Sequence, residues 1–200
     1  MKQVVLDMKK YSIFFFVILL GTFVNAQNKY EREYRIRKSQ FPSAALQLIA
    51  EKLEDARRIK FYRETDSAKV SYEVKFKKDR LWYSVEFDEE GVLEDVEILI
   101  KEVDIPEETF LKITDYLSSS FTKYRIKRIQ QQYPATSKET WDKTINNAFQ
   151  NLILPTINYE IMVGGKKDVG YYEYELLFGS DGSFKKSRKS LPPNYDHVLY

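Results

Sequence analysis

KVSYEVKFKKDRLWYSVEFDEEGVLEDVEILIK, residues 69–101, alternates apolar and polar side chains almost without interruption. Val70, Tyr72, Val74 and Phe76 fall on one face, with Lys69, Ser71, Glu73 and Lys75 on the other. After Lys77-Lys78-Asp79 the pattern resumes, setting Leu81, Tyr83, Val85 and Phe87 against Arg80, Trp82, Ser84 and Glu86. Asp88-Glu89-Glu90-Gly91 breaks it again, and Val96, Ile98 and Ile100 then point inward. A period of two, rich in aromatic and β-branched residues, is the pattern of a strand buried on one side. The charged breaks are turns, and glycine at position 91 is free to take positive φ. The stretch therefore reads as three consecutive antiparallel strands.

The same pattern returns over residues 157–188. Tyr159-Glu160-Ile161 echoes Tyr72-Glu73-Val74, and Lys166-Lys167-Asp168 echoes Lys77-Lys78-Asp79. Tyr174, Phe178 and Gly182 each stand 91 positions after Tyr83, Phe87 and Gly91. A helical stripe precedes each copy: Pro42, Leu46, Ile49, Ala50 and Leu53 match Pro106, Phe110, Ile113, Thr114 and Leu117 at an offset of 64. Order and spacing agree across several elements, the signature of a tandem duplication. Basic residues mark residues 123–132, the counterpart of a first strand at 57–65 that turns Ile59 and Phe61 inward. Residues 134–155 have no counterpart; Thr136 and Glu139 have capping-box spacing, and Trp141, Ile145, Ala148, Phe149 and Leu152 form an apolar stripe. The fold class expected is α+β: tandem repeats of an amphipathic helix on a four-stranded antiparallel sheet, with an extra helix in the second repeat. Repeat one spans 41–103 and repeat two 104–200, with the helical insertion at 135–154. The helix covers one sheet face and leaves the other to solvent or a partner.

The chain has 200 residues, with 32 Lys and Arg against 30 Asp and Glu. Residues 1–26 hold Lys2, Lys9, Lys10 and Asp7, which leaves 29 basic and 29 acidic groups in the rest. That balance argues against a nucleic-acid binder, which needs a clustered basic excess. Lys9-Lys10, the apolar run 12–20 and Val24-Asn25-Ala26 compose a secretory signal peptide, 1–26, cleaved after Ala26, with Met8 an alternative start. The apolar run is short of the ~20 residues of a membrane span, so none is expected after cleavage. The absence of cysteine excludes a lipidated N-terminus and any disulfide. A periplasmic or secreted protein is the expectation. Residues 27–40 form a charged N-terminal arm, either flexible or added to the sheet edge. The end of the chain, Val198-Leu199-Tyr200, reads as docked on the body.

Little points to catalysis. The single His197 lies close to the C-terminus, there is no Cys, and Gly164-Gly165 lacks the following helix of a phosphate loop. Asp88-Glu89-Glu90 lacks calcium-loop spacing. Glu73 and Glu86 face the same way on neighbouring strands, interleaved with Lys69, Lys75 and Arg80, and read as cross-strand ion pairs. No cofactor, metal or enzymatic activity is expected. The outward sheet face carries large aromatics among charges, the composition of a recognition surface. Tyr62, Glu73, Lys75, Trp82 and Tyr171 are its candidate contacts, for an unidentified protein or peptide of the cell envelope. Packing of Trp82 and Tyr62 beneath the other repeat is the alternative.

A signal peptide, a Pro-started helix, Lys60-Phe61-Tyr62-Arg63, Tyr72-Glu73-Val74-Lys75-Phe76, the run from Tyr83 to Gly91, Asp104-Ile105-Pro106 and Leu191-Pro192-Pro193-Asn194-Tyr195-Asp196 follow one another in order. In that order the chain resembles the PepSY-like proteins of the Bacteroidetes, also described as β-lactamase-inhibitor-like. The resemblance covers roughly 40–200. It implies an exported protein built of tandem helix-plus-sheet units, without established activity, presenting a concave sheet to a partner. It implies no inhibition of a β-lactamase, since this chain lacks the disulfides of that inhibitor. Two further functions stay open: an inhibitor or regulator of an exported hydrolase or peptidase, and a carrier of a small apolar ligand.

Overall fold

The computed structural model describes residues 27–29, 31–66, 69–167 and 170–190. The leader and its cleavage site, His197 and the docking of the C-terminal end lie outside the described residues.

Ten strands form one sheet: β1 (Gln27–Lys29), β2 (Glu31–Ile36), β3 (Arg57–Asp66), β4 (Lys69–Lys78), β5 (Leu81–Asp88), β6 (Leu93–Ile100), β7 (Lys123–Pro134), β8 (Asn158–Lys167), β9 (Gly170–Gly179) and β10 (Phe184–Ser190). Among the described residues three α-helices accompany them: α1 (Ser43–Leu53) before β3, α2 (Glu107–Ser120) between β6 and β7, and α3 (Trp141–Phe149) between β7 and β8. From β2 to β10 the strands are neighbours in chain order and antiparallel throughout.

This corrects the expected fold class. There are not two units, each with its own four-stranded sheet; β6 and β7 pair from Asp95↔Pro134 to Ile100↔Ile129 and make the sheet continuous. Alternation along a strand fixes which side chains share a face, and it is silent about which edge meets which. An open edge presents unpaired amides and carbonyls, and the short path through α2 brings the next edge to it.

The sheet is also rolled. Gln27–Lys29 pairs with β10 while Glu31–Ile36 pairs with β3, so one N-terminal stretch holds both ends of the strand order. Nine strands alternating in direction leave β2 and β10 running the same way, so such a seam closes only in parallel. The β1–β10 ladder is indeed parallel, with Gln27↔Arg188 and Lys29↔Ser190. Across the roll, Arg188 on β10 reaches Asp66 on β3, Nη1 to Oδ2 at 3.4 Å.

The apolar face is the outside of the roll, and the helices lie on it. Phe41, leading into α1, packs edge-on against Phe61 at 5.0 Å and Phe87 at 5.8 Å. Ile113 and Leu117 bury the inner stripe of α2, and beside it Tyr116 stacks on Phe184. From α3, Phe149 stacks on Tyr83 with centroids 4.5 Å apart, and Ile145 and Ala148 are buried. Leu152, placed in the same stripe by the sequence pattern, lies beyond the helix end and is 36% exposed. The polar face is thereby turned inward, the reverse of a globular sheet open to solvent.

Candidate functional site

The inside of the roll is a polar cavity of about 500 Å³. Every strand from β2 to β10 lines it with the alternate residues opposite the core. Carboxylates dominate: Glu33, Glu64, Asp66, Glu73, Glu86, Glu94, Asp95, Glu97, Glu160 and Glu173 stand against Lys69, Lys75, Arg128, Lys186 and Arg188. A small ligand fits the interior of a barrel of this strand number.

Two triads of carboxylates lie within it, each offering oxygens within 4.8 Å of one another. The first is Glu33, Glu64 and Glu73, adjacent through the pairings Glu33↔Glu64 and Tyr62↔Glu73. Here the chain supplies its own cation. Lys75 Nζ lies 2.7 Å from Glu73 Oε2 and 3.1 Å from Glu33 Oε1, with the Tyr62 ring 4.9 Å away. Ser84 Oγ donates to Glu73 Oε1. Burial pushes the Glu64 carboxyl up to about 10, helped by the charges of Glu73 and Glu86, so it is protonated and hydrogen-bonded to Glu73. Burial pushes Glu73 up as well, but the Lys75 ammonium and the hydrogen bonds from Glu64, Lys75 and Ser84 outweigh it and hold Glu73 below the usual range. A protonated and an ionised carboxyl side by side resemble an acid–base pair. Each is here satisfied by the other or by Lys75 and Ser84, so the geometry calls for no chemistry.

The second triad is Glu86, opposite Asp95 in register, with Asp95 and Glu97 two apart on β6. Gln130 Nε2 donates to Glu97 Oε2, and Gln132 Nε2 to Asp95 Oδ2 at 3.0 Å. Behind them Asn158 Nδ2 donates to Gln132 Oε1 at 2.9 Å, and Lys185 Nζ to Asn158 Oδ1 at 2.6 Å. Among the described residues no Lys or Arg is ion-paired with Asp95 or Glu97. Burial, then the charges of Glu160 and neighbouring carboxylates, pushes Asp95 up to about 8 and Glu97 well above its usual value.

Of the residues singled out from sequence, Glu73 and Lys75 line the cavity and touch each other. Tyr62, Trp82 and Tyr171 do not line it. Tyr62 is half-buried beneath Lys75, and Trp82 is half-buried with the Arg58 guanidinium 5.7 Å over its ring. Tyr171 is 55% exposed and lies across Gly164, where an added Cβ would stand 2.4 Å from the Tyr171 hydroxyl. Glu64, Asp95, Glu97 and Gln130 also line the cavity, and no local sequence signal marks them. Asp95 and Glu97 alternate with Val96 and Ile98, a pattern identical to that of a strand with one wet face.

The sequence matches no protein-family model and no curated protein. Among solved structures, it is similar to a DUF2874 family protein from Bacteroides uniformis, at 11% identity over 74% of this chain and 89% of that one, with a TM-score of 0.50. A BLIP-like protein from Bacteroides fragilis matches at 14% identity over 79% of this chain and 93% of the other, with a TM-score of 0.49. A periplasmic protein from Bacteroides eggerthii matches at 14% identity over 74% and 88%, also with a TM-score of 0.49. At these identities the likeness concerns fold alone.

Proposed function

We propose that the chain is an exported, non-enzymatic binding module, and that it recognises a positively charged group of an envelope protein or peptide in its carboxylate-lined interior. Export rests on the leader pattern of residues 1–26. The observation that carries the binding reading is the inward-facing polar wall, where carboxylates outnumber cations around a cavity of about 500 Å³. Complementary charge brings a cationic partner in and rejects an anionic one. The lining does not suit an apolar cargo, since the apolar side chains are packed between the outer sheet face and the helices.

Titration with a fluorescent tetralysine peptide, run beside a tetraglutamate peptide of the same length, tests this. Saturable binding of the cationic peptide alone supports it. Salt must weaken that binding, and so must Glu33→Gln, Glu94→Gln and Glu173→Gln in one chain. Equal affinity for both peptides, or none for either, defeats it.

A further inference from the structure

Both carboxylate triads bring their oxygens within 4.8 Å of one another, and they differ in their cations. Lys75 pairs with Glu33 and Glu73 of the first, while Asp95 and Glu97 of the second pair with no Lys or Arg among the described residues. Two buried acceptors are left over at the second triad, one on Asp95 and one on its neighbour Gln130. Asp95 Oδ1 and Gln130 Oε1 have no hydrogen-bond partner among the described residues, and both residues are only 9% exposed. Gln130 is held by its own amide nitrogen on Glu97, which fixes its carbonyl oxygen beside the triad. A buried carboxylate oxygen and a buried amide oxygen without partners are costly unless something donates to them or is coordinated by them.

We infer that Glu86, Asp95 and Glu97, together with Gln130 Oε1, form a site for one divalent cation of the Ca²⁺ class inside the roll. All four donors are oxygens, three of them from carboxylates, the set preferred by hard cations. Ca²⁺ bonds its ligands at about 2.4 Å, so oxygens on opposite sides of one ion stand about 4.8 Å apart. The triad's oxygens lie within that span. Mg²⁺ demands shorter bonds and an octahedron, which a set drawn from three neighbouring strands does not preform. The rest of the cavity leaves room for water to complete the coordination. Gln132 and, behind it, Asn158 and Lys185 steady Asp95 from the side away from the site.

The site lies in the cavity proposed to take a charged partner, and a test with the metal alone keeps the two readings distinguishable. Purified metal-free protein is titrated calorimetrically with CaCl₂ at pH 7.5 and, separately, with MgCl₂. One Ca²⁺ per chain is expected, bound about tenfold or more tightly than Mg²⁺. Asp95→Asn and Glu97→Gln should each weaken it by about tenfold or more, through loss of ligand charge. Glu33→Gln and Glu64→Gln should leave it unchanged. Gln130→Glu, which adds a carboxylate, should tighten it. Thermal unfolding provides a second reading, since Ca²⁺ should raise the Tm of the parent protein and not that of Asp95→Asn. Absence of saturable heat up to about 5 mM Ca²⁺, more than two orders above the sensor range, overturns the inference. So does binding that survives Asp95→Asn, or that Glu33→Gln abolishes.

Discussion

At the scale of single residues, the interior sets three carboxylates and one ammonium within reach of one another, and their protonation states follow from position. Glu64 on β3 faces Glu33 from β2, Glu73 and Lys75 from β4, and Glu86 from β5, with Tyr62 beside it on its own strand. Its folded pKa is raised from 4.5 to about 10. The folded chain therefore holds a proton that the unfolded chain releases, and the resulting stability is complete below about pH 4.5 and is lost as pH rises toward 10. Glu73 works in the opposite sense: its lowered pKa gives stability above the usual carboxylate range, lost on acidification. Urea melts between pH 6 and pH 9 should show stability falling with pH, Glu64 contributing up to about 1.4 kcal/mol per pH unit beside the shares of Asp95 and Glu97. Glu64→Gln should reduce that slope by its share and leave the variant more stable than the parent at pH 9. An unchanged slope would show that Glu64 is ionised. Lys75 is the counterpart: Lys75→Met strands Glu73 and Glu33 with no cation and should cost about 3 kcal/mol, most of it recovered by adding Glu73→Gln. None of this was visible from residue types, because an outward-facing Glu-Lys strand and an inward-facing one have the same alternation.

At the scale of elements, the strands were legible and their turns nearly so. The alternation at 69–101 gives β4, β5 and β6 because each turns aromatic and β-branched residues onto the helices. The first turn sits one residue later than the sequence places it: β4 runs through Lys78, and the hairpin is closed by Asp79 and Arg80 with φ of 47° and 73°. Two positive φ values are those of a type I′ turn, which suits Asn-Gly and strains Arg. Replacing Asp79-Arg80 by Asn-Gly should raise stability by about 0.5–1 kcal/mol without altering the denaturant slope. Gly182 shows the converse. With φ of 81° it lies beneath α2, where an added Cβ would meet the Thr109 carbonyl oxygen at 2.7 Å. Gly182→Ala should therefore cost about 2 kcal/mol or more, since backbone cannot move aside as a side chain can. The helix inserted at 141–149 was legible as core for a similar reason. Phe149→Ala, which removes the ring stacked on Tyr83 and Phe76, should cost about 3 kcal/mol.

At the scale of the whole molecule, closure was not legible, because it depends on which edges meet rather than on any local pattern. The charged stretch 27–36 has no strong period, and it is nevertheless the piece that joins the ends of the sheet. Its role follows from the arithmetic of direction: β3 and β10, the ends of eight alternating strands, run opposite ways, so a stretch antiparallel to β3 is necessarily parallel to β10. Residues 27–29 and 31–36 meet both edges in those senses. Removing residues 27–36 should leave β3 and β10 with rows of unpaired backbone groups, and long unpaired edges recruit other chains. Light scattering after size exclusion should then show concentration-dependent dimers or larger species where the intact protein gives one mass. The interior should also open, so that Glu64, now hydrated, loses its raised pKa and the truncated chain its loss of stability toward pH 9. A truncated chain that stays monomeric and keeps that pH dependence would mean that the roll is held by the curvature of β3–β10 and the Arg188–Asp66 bridge alone.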